Sequence, residues 1–327
     1  MNIKHLAPLA LIATPVIAQD LTPVTFGANW VAQAEHGGFY QAVAEGHYAE
    51  CGLDVTILPG GPQINNRAQL LAGKIDFFMG GDLLYLFNAA EQGIPFVAVA
   101  AIMQKHPQVI VAHPGAADTF ADLADLTVLV SDTSYQSYYR WMMETKGFTE
   151  DGRRPYTFNP APFLADEKTA MQGYLTSEPY LIEKTAGFTP DVFLLADEGY
   201  ETYATTIETM ADTIETRPDV VQCFVDGSIL GWQGYLSGDR SAADALIMAH
   251  NPEMTADKIA YAVTAMTDNG IVMSGDAVDG GIGIITGEKV HAFYDQMVSA
   301  GVTTEGLDVD AHWTDRFVGK GVGLDMK

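Results

Sequence analysis

Residues 24–82 read VTFGANWVAQAEHGGFYQAVAEGHYAECGLDVTILPGGPQINNRAQLLAGKIDFFMGGD. Three short runs here, Val24–Ala28, Leu53–Leu58 and Ile75–Met79, are apolar and rich in β-branched or aromatic residues. Between them lie helix-length amphipathic segments, His36–Glu50 and Pro62–Ala72. Strands that alternate with helices build βαβ units, so a mainly parallel sheet is expected. Working outward, Gly81–Gln92 reads as a helix, and Phe96–Ile102 and Gln108–Ala112 as strands. A second series follows: strand Thr127–Val130, helix Tyr135–Lys146, strand Tyr156–Phe158, helix Ala165–Gly173, then strands Tyr174–Thr176 and Val192–Leu195. From Asp219 onward the pattern is mostly helical, in segments near Asp219–Leu236, Ala242–His250, Ala256–Asn269, Glu288–Ala300 and Ala311–Val318.

This order predicts two α/β lobes with a helical C-terminal part. Residues 19–113 would open the first lobe, 114–204 would form the second, and 205–327 would return through the hinge to complete the first. The chain then crosses twice, near Gln108–His113 and Tyr203–Thr209. Two crossings make a hinge, and a hinge between open α/β sheets places a ligand between their strand ends.

Composition limits the partners. The chain has 327 residues, with 17 Lys+Arg against 42 Asp+Glu, a formal charge of −25. So acidic a surface repels phosphate backbones and anionic lipid, which argues against nucleic acid and membrane-surface binding. No internal apolar run reaches the roughly 20 residues of a membrane helix, so no stable membrane insertion is expected. Met1–Asp20 reads as a secretory signal: Lys4 and His5, the apolar run Leu6–Ile17, and small residues for cleavage near Ala18. The expected location is the periplasm. Of the two cysteines, Cys51 and Cys223, the reading favours two buried free thiols, because both lie in helix-like segments far apart in sequence. No metal site, cofactor or catalytic residue is expected: H-E-x-x-H, G-x-S-x-G and P-loop patterns are all absent.

Candidate ligand contacts lie just past strand ends. Asn29 and Trp30 follow the first strand, where an indole can stack on a flat ring and an amide can meet its polar edge. A core tryptophan beside an Asn turn is the alternative. His36 opens a helix whose Gly37 and Gly38 allow close backbone approach; a capping histidine fits equally. Gly80 and Gly81 admit a flat ligand, whereas Asp82 reads better as a helix cap. Ser131 and Thr133, with Tyr135 beside them, offer hydroxyls and helix-start amides to an anionic or carbonyl group. Glu178 is the sharpest candidate. Pro179 is expected to hold it extended at a strand end, so that its carboxylate accepts hydrogen bonds from an exocyclic amine and a protonated ring nitrogen. A solvated turn glutamate is the alternative. Tyr203 is expected to add to an aromatic wall, or else to be core.

The residues Asn29-Trp30, Glu35-His36-Gly37-Gly38-Phe39-Tyr40, Gly52-Leu53-Asp54-Val55, Gly60-Gly61-Pro62, Gly73-Lys74-Ile75-Asp76-Phe77 and Thr176-Ser177-Glu178-Pro179 carry a resemblance. The chain resembles the SsuA/ThiY group of ABC-importer substrate-binding proteins, the NMT1/THI5-like family. That resemblance implies a two-lobed periplasmic binding protein (type II, Venus-flytrap), which works as a monomer with ABC permease and ATPase subunits. The implied ligand is an aminopyrimidine thiamine precursor held at Asn29, Trp30, His36 and Glu178. Sulfonates such as taurine, or riboflavin, are the alternatives within the fold. The synthase branch of the family carries a cleft lysine for pyridoxal phosphate, followed by a histidine and a cysteine cluster. Here the first region has Met79-Gly80-Gly81 and the last has Tyr203-Ala204-Thr205-Thr206, so a binding protein, not an enzyme, is implied.

Overall fold

The computed structural model describes residues 21–324; the expected signal sequence falls outside them. In the first sheet, β1 (Thr22–Gly27) lies parallel between β2 (Leu53–Leu58) and β3 (Phe77–Met79). β4 (Phe96–Met103) is buried at every position, the pattern of a strand covered on both faces. The second sheet holds β5 (Gln108–Ala112), β6 (Thr127–Val130), β7 (Arg153–Pro155), β8 (Thr169–Tyr174) and β9 (Asp191–Leu194), in the order β7-β6-β8-β5-β9. β10 (Ala204–Met210) returns to the first sheet, giving the order β2-β1-β3-β10-β4. β10 runs antiparallel to β3 and β4, and β5 antiparallel to β8 and β9. Each sheet is therefore parallel except for the strand that enters it directly after a crossing.

The crossings lie between Met103 and Gln108 and between Leu194 and Ala204. This corrects the expectation that Gln108–Ala112 closes the first lobe. A fully buried run such as Gln-Val-Ile-Val-Ala fits either sheet, and only its pairing decides. Two further corrections concern the second lobe. Residues 169–174, read as part of a helix, form β8, and the strand expected at Tyr156–Phe158 is β7, ending at Pro155. Ala311–Val318 is not a helix; a single 3-10 turn, Val309–His312, precedes Trp313, which bridges to Ala98 on β4.

The C-terminal helices complete the first lobe. The 20-residue helix Pro218–Ser237 lies across the helix Gly37–Glu45 at a separation only glycine permits. A Cβ on Gly231 would sit 2.1 Å from the Gly38 carbonyl oxygen, and one on Gly38 would sit 2.1 Å from the Trp232 indole. Gly37 and Gly38 thus serve helix packing, not close approach of a ligand. The same contact brings Cys51 to Cys223, which are disulfide-bonded with their Cα atoms 5.9 Å apart. The expectation of free thiols is corrected, since the helical tail folds back onto the first lobe's opening.

The disulfide closes a loop of 172 residues, and such a link adds roughly 2–5 kcal/mol. The double variant Cys51→Ser, Cys223→Ser should lose about that much in chemical denaturation. Unfolded, unreduced protein should show no reactive thiol; two titratable thiols would contradict the pairing.

Candidate functional site

The strand ends of the two sheets face each other across a cleft, and the first lobe's contribution starts after β1. Asn29 and Trp30 are partly exposed there, and the Asn29 amide donates to the Gly80 carbonyl at 3.3 Å. A 3-10 turn, Ala34–His36, then presents Glu35, which is 4% exposed. After β3 come Gly80, Gly81 and Asp82. Gly80 packs on β10, where a Cβ would meet Glu208 and Thr206 at 2.1 and 2.2 Å; Gly81 lies against the Tyr85 ring. Asp82 caps the helix Leu83–Glu91 by accepting from the Leu84 amide at 3.0 Å, as its position suggested.

The second lobe answers with two features. Beyond β7, Phe158 is 59% exposed in left-handed backbone at φ +61°. A bulky residue holds that conformation at a cost of about 1–3 kcal/mol, and such residues concentrate at ligand clamps. Its ring lies 5.7 Å from that of Trp30 across the cleft and 5.5 Å from that of Tyr156. Beyond β8, Thr176 donates its hydroxyl to Glu35 of the first lobe, and Glu178 follows. Glu178 is not extended at a strand end: it is the first residue of the helix Glu178–Ala186, with Pro179 in the first turn. Proline is tolerated there because that turn's N–H groups have no helical partner. One Glu178 oxygen accepts from the Tyr174 amide at 2.6 Å and from the Ser177 hydroxyl at 2.5 Å. The carboxylate is aimed by these bonds, not by strand geometry.

Electrostatics follow from burial. Glu35 and Glu178 are both held above the usual carboxylate range, first by burial, and the charge of Glu178 raises Glu35 further. The nearby cations are engaged elsewhere: Arg67 with Glu208 at 3.4 Å, and Arg153 with Asp132. Among the described residues, no Lys or Arg forms an ion pair with either acid. Burial also pushes Asp82 up to about 6, although the Tyr200 hydroxyl donates to it at 3.1 Å. Desolvation drives His36 down to about 3 and His106 down to about 4, so both rings are neutral.

The remaining expected contacts are placed as follows. Thr133 lines the cleft mouth, a space of about 210 Å³ that it shares with Leu84, Tyr85, Asn88, Gln136 and Ser137. His36 is 1% exposed and makes no side-chain cap; its Nδ1 has no partner. Ser131 is spent internally: its oxygen accepts from the Ser134 amide at 3.2 Å, and its own amide donates to Gln172 at 2.6 Å. Tyr135 donates to Glu150, with the Arg153 guanidinium 4.6 Å over its ring. Tyr203 is fully buried, and its hydroxyl donates to Asp276 at 2.5 Å. It braces the hinge instead of walling the cleft, which corrects the aromatic-wall reading. Sequence reasoning missed Glu35 and Phe158. Glu35 stood beside the singled-out His36, whereas nothing in the sequence announces the backbone at Phe158.

Asp82 gives a pH test. Its folded carboxyl keeps its proton to about pH 6, against a reference of 3.8. The stability it contributes is complete below the reference value and is lost as pH rises through the folded one. Asp82→Asn should therefore gain on the native protein between pH 4 and 7, by up to about 3 kcal/mol. Denaturant titrations across that range read the difference, and a gap independent of pH would show Asp82 ionised throughout.

Solved structures share this architecture. The periplasmic aliphatic sulphonate binding protein SsuA from Escherichia coli aligns with a TM-score of 0.60 and 18% identity, covering 89% of this chain and 91% of that one. The periplasmic nitrate-binding protein NrtA from Synechocystis PCC 6803 gives 0.61 at 13% identity, covering 91% and 87%. The desulfurization enzyme DSZB gives 0.57 at 13%, covering 90% and 97%. At these identities the likeness is one of fold: two α/β lobes of the periplasmic-binding-protein type. No curated protein sequence matches the chain. Residues 33–242, well over half of the chain, match the NMT1/THI5-like family, and the protein belongs to that family.

Proposed function

We propose that this protein is the periplasmic solute-binding component of an ABC importer and that it captures a small heteroaromatic with a donor-bearing edge, an aminopyrimidine thiamine precursor. The observations that carry the reading are the aromatic pair across the lobes, Trp30 and Phe158, and the carboxylate Glu178, whose charge bears on Glu35 of the first lobe and on Tyr156 beside Phe158. A pyrimidine ring between the two aromatics needs them about 7 Å apart, since stacked carbons sit about 3.5 Å from each other. From 5.7 Å, a small hinge opening provides that. Asn29 and Glu178 then meet the ring's polar edge.

The fold shared with importer binding proteins, together with the family, supports delivery to a permease and its ATPase. The enzyme reading is weaker. Pyridoxal phosphate needs a cleft lysine, and no lysine lies among the cleft residues described above. Sulfonate or nitrate binding is opposed by Glu35 and Glu178, because uncompensated acids repel an anion.

Thermal shift against hydroxymethyl- and formylaminopyrimidine, thiamine, riboflavin, taurine and nitrate tests the reading. A ligand at about 100 times its Kd should add about 2.7 kcal/mol. Glu178→Gln should cost a pyrimidine about 1.5–3 kcal/mol, the worth of a hydrogen bond to a charged group. Stabilisation by taurine or nitrate and by no pyrimidine would overturn the proposal.

A further inference from the structure

The cleft of a pyrimidine binder needs one acid to hold an amine edge; this one has two, contributed by opposite lobes. Resting on the functional reading above, we infer that the cleft selects a ring carrying a positive charge, clamped between Trp30 and Phe158 and shared between Glu35 of the first lobe and Glu178 of the second.

Three independent observations support this inference. The clamp faces are aromatic on both sides, and a cation held over such a face is attracted by the ring quadrupole, most strongly where water is excluded. Phe158 is the most exposed Phe described in the molecule and keeps left-handed backbone in order to stand there. Among the described residues the acids have no cationic partner of their own: Arg67 and Arg153 are committed to Glu208 and Asp132. Buried carboxylates without a counter-charge are costly, and here the Thr176 hydroxyl and local amides offset only part of that cost. An arriving cation supplies the missing charge.

Proton linkage follows. Burial raises both acids, so each keeps its proton longer than an exposed carboxylate does. A cation favours their ionised forms and therefore displaces protons, so its affinity strengthens as pH rises. The titratable groups that face the pair do not share that window. Tyr138 and Tyr156 beside Glu178, and Tyr174 and Tyr235 beside Glu35, are all pushed upward by burial and stay neutral. The adjacent His36 is neutral from about pH 3. Asp82 does titrate near pH 6, and its charge bears on Tyr174; variants of the pair distinguish its contribution.

The probes are 4-amino-5-hydroxymethyl-2-methylpyrimidine and its ring N-methylated cation, measured by calorimetry from pH 5 to 8 on the full mature protein. The cation should bind at least about tenfold more tightly than the neutral ring at the upper end, with the gap narrowing toward pH 5 and protons released on binding. Glu35→Gln should close most of that gap. Phe158→Leu, at an exposed position that keeps an apolar side chain, should weaken both probes. A native-like melting temperature certifies the folding of each variant. If the neutral ring binds as well as the cation does, the charge inference fails while the pyrimidine reading stands. If neither probe binds and taurine or nitrate does, both fail.

Discussion

Everything in this molecule depends on two strands that run against their sheets. β5 and β10 are the first strands laid down after the chain changes lobe, and each inserts antiparallel into an otherwise parallel sheet. Because the chain crosses twice, two short segments join the lobes among the described residues, and the Lys105–Asp197 pair brings them together. Contacts at the link are directed. Lys105 pairs with Asp197 at 2.8 Å, and Lys289 donates to the Gln104 carbonyl at 2.5 Å while lying 4.4 Å over the Tyr203 ring. The exposed ion pair is worth little. The buried bonds of Tyr203 to Asp276 and Thr286 give the hinge its fixed side.

Closure is a matter of what meets across the cleft. The lobes touch through Thr176 on Glu35, Phe158 beside Trp30, Tyr180 near Tyr261 at 5.3 Å, and Arg140, which donates to the Gly301 carbonyl. A ligand that touches both lobes favours closure by the difference in its affinity for the two states. Under the inference above, acids on opposite lobes, Glu35 and Glu178, would couple the recognition of charge to closure.

The fold was largely legible in the sequence, because the apolar runs of residues 24–82 have strand length and the segments between them have helical period. What escaped was decided by distant packing. Gln108–Ala112 is buried in either lobe, so its pattern does not say which sheet it joins. Thr169–Tyr174 lies in a stretch with good helix formers, yet pairing with β5 and β6 overrides that preference. Gly37 and Gly38 announced a close approach without saying that Trp232 and Tyr235 were the visitors. The cysteines met because the tail returned to the first lobe. Trp30 and Glu178 were singled out from expected places past strand ends; Trp30 lies partly exposed after β1, whereas Glu178 starts a helix. Phe158 depends on a backbone angle that no residue type signals, and Glu35 stood in the sequence only as the neighbour of His36.

The most direct test is a crystal structure of the protein with whatever ligand stays bound when it is purified from its native host. The account predicts a planar nitrogen heterocycle lying between the indole of Trp30 and the ring of Phe158, with its polar edge on Glu178. An anion seated at the Ser131–Thr133 helix start, or a ligand that leaves the two aromatic rings in contact, would contradict it.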